Sequence, residues 1–140
     1  MSVFPDGPLL RGAEAEFFAD ARVSHLATTD ETGGPHVVPI CHVLDLDHVI
    51  LATETDTQKV RNLLRDGRAT ICADHYDEDW ATLKQVIVRG EALFIDRGFE
   101  WDRDRQLLYD KYPQYETGSP IDDGTTIVAV RIDQVLSWGF

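Results

Sequence analysis

Cysteine, basic residues and long apolar runs are all scarce in this chain of 140 residues. The two cysteines are too few to hold together a small secreted domain by disulfides. The net charge of −12 repels phosphate backbones and anionic lipid, which disfavours nucleic-acid or membrane binding as the main role. No apolar run has transmembrane length, and residues 1–8 have neither the basic nor the apolar region of a signal peptide. We therefore expect a cytoplasmic protein that binds neither nucleic acid nor membranes.

The sequence also lacks the spacings of common catalytic and metal sites. Its glycines form neither a dinucleotide fingerprint nor a P-loop, and no Ser-His-Asp or Cys-His set can be assembled. Neither His36 with His42 nor Cys72 with His75 completes a four-ligand zinc spacing, so no metal site is predicted. The acidic run at 74–80 lacks the glycine and terminal glutamate of a calcium loop, and we interpret it as a solvated turn.

Helical and strand periodicity alternate along the chain, which we treat as one domain spanning residues 1–140. Helical spacing occurs at 11–22, 57–66 and 99–111. Period two predicts six strands, at 23–28, 35–44, 48–53, 69–75, 86–95 and 126–132. This order predicts a mainly β fold with short helices (α+β), a six-stranded antiparallel β-barrel. Pro39 places an edge or a bulge in the second strand. Strand edges and a tryptophan close to the C-terminus predict a homodimer.

The start of the helix at 57–66 carries the strongest local signal. A helix N-terminus offers free N–H groups and the positive end of the helix dipole, which suits a phosphate group. Residues 59–68 carry a net charge of +3 inside an acidic chain. Thr57 is the predicted N-cap, whereas Asp56 opposes a phosphate unless it points away. The alternative, a basic surface helix with no ligand, stays open at this stage.

Several short motifs occur in an order that is typical of one superfamily. They are Leu26-Ala27-Thr28, Gly34-Pro35-His36-Val37-Val38-Pro39-Ile40, Thr57-Gln58-Lys59 with Arg61-Asn62, Val88-Arg89-Gly90-Glu91-Ala92, Tyr112-Pro113-Gln114-Tyr115 and Ser137-Trp138. The chain resembles the flavin-binding split-barrel superfamily, which includes pyridoxamine 5′-phosphate oxidase and deazaflavin (coenzyme F420)-dependent reductases. Within it, the sequence is most similar to the branch of small F420-dependent enzymes.

The resemblance implies a cofactor held in a groove at a homodimer interface. The strand His36 to Ile40 would follow the ring system and ribityl chain, mostly with its backbone, and Lys59 would be the main phosphate ligand. Gln85 would contact the flavin, and Trp138 would cover it from the partner chain. The implied cofactor-binding residues are His36, Val37, Val38, Pro39, Ile40, Thr53, Thr57, Gln58, Lys59, Arg61, Asn62, Gln85 and Trp138.

Departures from the family pattern shape the functional expectation. Gln58 replaces an arginine of the oxidase's phosphate clamp, Cys41 replaces a lysine, and the arginine-containing C-terminal segment is missing, so vitamin B6 oxidation is not expected. An F420 tail carries extra carboxylates, which favours FMN over F420 in so acidic a chain. The resemblance thus implies an FMN- or F420-dependent oxidoreductase acting on a small organic substrate. No catalytic side chain is nominated, because such a cofactor carries the redox chemistry.

Two alternatives follow from the same resemblance. One is a haem-binding or haem-degrading split barrel, with His36, His42 or His75 as the iron ligand. The other is a dimer that binds a flavin without catalysing a reaction. One fold hosts many functions, so the sequence alone leaves both open.

Overall fold

The computed structural model describes residues 8–140, so the expectation about a leader at 1–8 lies almost wholly outside the described residues. The elements, in chain order, are α1 Gly12–Asp20, β1 Ser24–Thr29, β2 Pro35–Ile40, β3 Val43–Asp45, β4 His48–Glu54, α2 Gln58–Arg65, β5 Arg68–His75, β6 Lys84–Phe94, α3 Phe99–Lys111, α4 Gln114–Gly118 and β7 Thr125–Trp138. A short 3₁₀ turn at Trp80–Thr82 lies between β5 and β6. No helix among residues 8–140 is both long enough and apolar enough to cross a membrane.

The strands form one antiparallel sheet in the order β2-β1-β5-β6-β7-β4-β3. The two edge strands, β2 and β3, are separated along the chain by Cys41 and His42 alone. Two residues span only about 7 Å, so the sheet must curl until its edges approach each other. The result is a half-barrel with short helices at its ends. The predicted mainly β, antiparallel fold is confirmed.

The prediction of six strands is wrong, because residues 8–140 form seven and the predicted second strand divides at Cys41 and His42. The backbone N–H of His42 donates to the Tyr112 hydroxyl at 3.3 Å. Its carbonyl oxygen accepts from Lys111 Nζ at 2.7 Å and from the Tyr112 hydroxyl at 3.2 Å. These bonds to the end of α3 take both backbone groups of His42 out of any strand ladder. Of the alternatives predicted from Pro39, an edge or a bulge, the structure shows the edge, since β2 pairs with β1 alone.

The interior of the half-barrel holds the main core. The fully buried side chains Leu26, Ile71, Val86, Val88, Val128 and Val130 pack there with Phe18 of α1. A second cluster lies under α3, where Trp101 and Leu108 cover Ile50 and Ile127. These apolar residues of the predicted strands and helices therefore face inward, whereas Val37 of β2, Leu64 of α2 and Phe99 of α3 are exposed.

A bulge between Arg89 and Gly90 sets the register of the long β6–β7 ladder. A Cβ built on Gly90 would lie 1.7 Å from the carbonyl oxygen of Arg131, so no other residue fits there without moving the backbone. β7 continues past the predicted end of the last strand at 132 to reach Trp138. The bulge thereby places Gln85 directly opposite Trp138.

Candidate functional site

An opening separates the two edges of the curled sheet. β3 pairs only with the first residues of β4, from His48 to Ile50. Residues 51–54 of β4 pair with β7 on one side and, within the described chain, with no strand on the other. Because β2 leads into β3 through two residues, the free edge of β2 and this free half of β4 border the same opening. We call it the split; the N-terminus of α2, which follows β4, lies at one end of it.

Polar contacts fix α2 against the strand next to the split. The Asn62 side chain is fully buried, and its Nδ2 donates to Thr28 Oγ1 at 3.0 Å. Its Oδ1 accepts from Gln58 Nε2 at 2.7 Å. Thr28 stands opposite His36 in the β1–β2 ladder. α2 is therefore held against β1, the strand that pairs with the edge strand β2.

Thr57 is the N-cap of α2, as predicted, but its side chain does not cap the helix. Its Oγ1 is buried and has no hydrogen-bond partner. A buried hydroxyl left unpaired costs about 1–3 kcal/mol, so an orphan of this kind calls for an explanation. The first N–H groups of a helix also lack intrahelical acceptors. The Thr57 hydroxyl and these N–H groups therefore lie unpaired by protein groups of residues 8–140 at the end of the split.

Carboxylates neutralise part of the predicted basic patch on α2. Arg61 NH1 donates to Asp56 Oδ1 at 2.7 Å, so Asp56 does not point away. Arg65 donates to the carbonyl oxygen of Thr29 and lies 4.0 Å from Glu31, which the β1–β2 hairpin brings to α2. The net charge counted along the sequence therefore overstates the charge available to a ligand.

The two remaining basic residues of the patch, Arg68 and Lys59, differ in whether they form an ion pair. Arg68 NH2 donates to Asp66 Oδ2 at 2.8 Å, and hydrogen bonds from the Arg68 side chain and backbone lower the pKa of Asp66 to about 2. Lys59, half-buried in the first turn of α2, forms no ion pair or hydrogen bond with any residue from 8 to 140. Lys59 is therefore the basic side chain of the patch that is free to meet a phosphate group.

The other predicted residues of β2 and β4 lie on strands that border the split, and the side chains on β2 differ in exposure. Val37, which is 60% exposed, and Pro39 point outward, while His36 and Val38 are half-buried and Ile40 is buried. A ligand lying along β2 would therefore meet mainly backbone, since an edge strand leaves half of its N–H and C=O groups unpaired. Thr53 lies in the free half of β4 and pairs with β7 only.

Gln85 and Trp138 lie apart from the rest of the predicted set. They face each other across the β6–β7 ladder, and Trp138 is 57% exposed. In the strand register, His36 is level with Thr28 of β1 and, continuing through β5, with Gly90 of β6. Gln85 lies five residues from Gly90 along β6, on the order of 16 Å. Within one chain the pair therefore lies well along the strands from the level of His36.

The histidines proposed as iron ligands differ in availability. His42 is fully buried; its Nε2 lies 2.9 Å from the carbonyl oxygen of Phe18, and its Nδ1 lies 2.7 Å from Ser24 Oγ. A carbonyl only accepts, so Nε2 carries the proton and Nδ1 accepts from the serine. Burial, with the charge of Lys111, lowers the pKa of His42 to about 4. Both ring nitrogens of His42 are thus occupied.

The remaining histidine candidates leave more room for a ligand. His36 is half-buried on β2, and His75 is exposed at the end of β5. No three His, Cys, Asp or Glu side chains within residues 8–140 come close enough together to hold a metal ion.

Sequence reasoning missed a pocket beside the split, because α4 lies between the predicted helix at 99–111 and the predicted strand at 126–132, where no element was predicted. The pocket has a volume of 280 Å³ and is lined by Cys41, Tyr112, Gln114, Tyr115 and Ser119. Tyrosines recur every three residues from 109 to 115, a helical spacing that extends the apolar face of α3 past its end. That spacing was the available signal.

The curled antiparallel sheet, open along its split, has the architecture of a split barrel. The family model for pyridoxamine 5′-phosphate oxidase matches residues 10–139. The chain belongs to this family, and the resemblance stated from the sequence motifs is confirmed. No curated protein matched in a sequence search.

Solved structures with the same fold bind different groups. A conserved hypothetical protein from Mycobacterium tuberculosis superposes with a TM-score of 0.79 at 22% identity, over 98% of this chain and 89% of that one. The haem storage protein HutZ from Vibrio cholerae gives 0.80 at 18% identity, over 94% and 96%. An FAD-binding protein from Mesorhizobium loti gives 0.72 at 17% identity, over 88% and 87%. At these identities the likeness establishes the fold alone.

Proposed function

We propose that two copies of this chain bind flavin mononucleotide in the split and act as an FMN-dependent oxidoreductase on a small organic substrate. The observation that carries the proposal is the buried, unpartnered Oγ1 of Thr57 beside the free Lys59 at the start of α2. A phosphate group satisfies the orphan hydroxyl, the free helix N–H groups and the lysine together. When bound, the flavin supplies hydride or electron transfer.

The residues around the phosphate take two kinds of role. Thr57 and Lys59 contact the phosphate, whereas Gln58 and Asn62, which are bonded to each other, hold the first turn of α2 in place. Arg61 can turn from Asp56 to the phosphate at little cost, because an exposed ion pair is worth about 1 kcal/mol or less.

The edge of β2 and Thr53 then follow the ribityl chain and ring. A single free lysine suits one phosphate better than the carboxylate-bearing tail of F420, so the proposal favours FMN.

A second copy of the chain completes the proposed site. We infer that the partner copy supplies Gln85 and Trp138, because within one chain Gln85 lies five residues further along the strands than the level of His36. Exposed apolar side chains on the outer face of the sheet, including Val37 on β2 and Leu136 on β7, give such a dimer a surface to bury.

A cofactor titration tests the proposal. FMN, F420 and haemin are added in parallel to the purified protein and to Lys59→Ala, with Lys59→Arg as the control that keeps the charge. We expect saturable FMN binding whose dissociation constant rises at least about tenfold in Lys59→Ala, because one charge-assisted hydrogen bond is lost. In Lys59→Arg the dissociation constant should rise much less. FMN binding that is indifferent to Lys59→Ala would contradict the phosphate assignment.

Subunit mixing tests the shared site. Lys59→Ala and Trp138→Ala each place one defect in both sites of a dimer. In a mixed dimer, both defects fall in one site and the other site is intact. We expect mixing to restore tight FMN binding at one site per mixed dimer. No recovery after verified subunit exchange would show that both residues act within one chain.

Haem binding is the competing outcome of the same titration. The occupied ring nitrogens of His42 leave His36 and His75 as possible iron ligands. If haemin gave the wild-type protein a Soret band that is lost in His36→Ala or His75→Ala, and the wild type did not bind FMN, the flavin proposal would be wrong and haem binding would take its place.

Turnover separates an enzyme from a flavin carrier. The FMN-loaded protein, reduced with dithionite under nitrogen, is mixed with a benzoquinone, and the return of oxidised-flavin absorbance is followed. We expect reoxidation faster than that of free reduced FMN at the same concentration. An equal or slower rate, across several small acceptors, would indicate a protein that binds flavin without catalysis.

A further inference from the structure

The pocket lined by Cys41, Tyr112, Gln114, Tyr115 and Ser119, called here the Cys41 pocket, has walls that are largely apolar. Tyr115 is half-buried and stacks on Tyr109 with ring centroids 5.8 Å apart and planes inclined by 10°. It meets Tyr112 edge-on, with centroids 6.1 Å apart. This pre-set group of tyrosine rings favours a flat apolar ligand.

Basic side chains near the pocket are all directed elsewhere. Lys111 Nζ donates to two main-chain carbonyl oxygens at 2.7 and 2.8 Å. The guanidinium of Arg22 donates to the carbonyl oxygen of Lys111 at 3.0 Å and lies over a tyrosine ring. Arg105 Nε donates to the carbonyl oxygen of Ile121 at 3.0 Å. These cations keep their charge, but their donors are held on main-chain carbonyl oxygens, so an anionic ligand would have to displace those bonds in a chain whose net charge repels it.

Polar groups in the pocket are available to an uncharged ligand. The side chains of Gln114 and Ser119 and the Tyr115 hydroxyl form no hydrogen bond with the described residues. Each of the three can donate to a carbonyl oxygen. A cavity of about 150 Å³ holds benzene, so 280 Å³ has room for a ring system of one or two fused rings.

The position of the pocket links it to the split. Cys41 directly follows Ile40, the last residue of β2, so the pocket opens where the edge strand ends. We propose that the Cys41 pocket receives the substrate, and that this substrate is an uncharged planar ketone or quinone of one or two fused rings. The assignment as a substrate site rests on the proposed flavin function; the ligand class rests on the pocket alone.

A binding experiment without turnover tests the ligand class. Isothermal titration at pH 7 compares 1-tetralone, an uncharged ring ketone that does not react with thiols, with the anions 1-naphthoate and 1-naphthyl phosphate. We expect 1-tetralone to bind at least tenfold more tightly than either anion, both in the cofactor-free and in the FMN-saturated protein. An anion that binds as tightly as 1-tetralone, or no binding of 1-tetralone, would overturn the proposal.

Two arginine variants locate the binding. Ser119→Arg places a cation at the pocket, whereas Gln106→Arg places one at an exposed residue of α3 outside it. We expect Ser119→Arg to lower the preference for 1-tetralone over 1-naphthoate at least tenfold and Gln106→Arg to leave it unchanged. An equal response of the two variants would overturn the assignment to this pocket. Failure of FMN to bind while 1-tetralone still binds would remove the flavin proposal and leave the ligand class standing.

Discussion

Thr57→Val removes one hydroxyl, keeps the branched side chain and puts a methyl group in its place. In most helices this change at the N-cap costs about 0.5–2 kcal/mol, because a capping hydrogen bond is lost. Here the Thr57 side chain makes no capping bond and its Oγ1 is buried without a partner. We therefore expect the free energy of unfolding of the cofactor-free protein to stay the same or to rise by about 1 kcal/mol.

FMN binding should change in the opposite direction. A hydrogen bond to a charged group contributes about 1.5–3 kcal/mol, so loss of the Thr57 hydroxyl should raise the dissociation constant about 10- to 150-fold. Flavin fluorescence titration measures this constant, and urea unfolding followed by circular dichroism measures stability. The variant should thus be at least as stable as the wild type while binding FMN worse.

Thr55→Val is the matched control on the same loop. Thr55 Oγ1 donates to the carbonyl oxygen of Gly124 at 3.0 Å and lies 2.9 Å from Thr126 Oγ1. Its loss should cost about 1 kcal/mol of stability and leave FMN affinity unchanged. If Thr57→Val destabilised the protein by 0.5–2 kcal/mol, as loss of a working cap does, or left FMN affinity intact, the reasoning about the orphan hydroxyl would be refuted.

Three further changes test other parts of the account. His42 has a folded-state pKa of about 4 against 6.5 when unfolded, so its stability contribution is present above pH 6.5 and is lost as the pH falls toward 4. Wild-type protein should therefore lose about 2 kcal/mol more than His42→Gln between pH 8 and pH 5 in urea unfolding; equal losses would refute the buried neutral imidazole. Gly90→Ala should destabilise the protein by about 3 kcal/mol or prevent folding, because its Cβ would overlap a carbonyl oxygen; a fully stable variant would contradict the bulge geometry. Trp138→Ala should weaken FMN binding about tenfold with little change in melting temperature, while Trp80→Ala, at a residue 70% exposed, should change neither; equal effects of the two variants on FMN affinity would count against Trp138 as a cover.

The fold followed from the sequence wherever one local pattern decided it. Pro39 cannot donate a ladder hydrogen bond, which predicts an edge or a bulge, and the strand that contains it lies at an edge. The break at His42 could not be predicted, because its cause lies 70 residues away in the Tyr112 hydroxyl. Periodicity describes a strand's faces, but it does not show which distant side chains compete for its backbone.

The candidate site was predictable in its position and less so in its electrostatics. The start of α2 could be located from helix signals near Thr57 and Lys59. The partial neutralisation of its basic patch could not, because Glu31 reaches Arg65 only through the folded hairpin. The orphan state of Thr57 Oγ1 depends on three-dimensional packing, which no spacing in the sequence reveals.

Comparing FMN with riboflavin tests the central claim, that the start of α2 binds a phosphate group. The two compounds share the ring and the ribityl chain and differ only in the phosphate. Two charge-assisted hydrogen bonds, from Thr57 and Lys59, predict that FMN binds at least about 100-fold more tightly than riboflavin. Equal affinities of the wild-type protein for the two compounds would contradict the account.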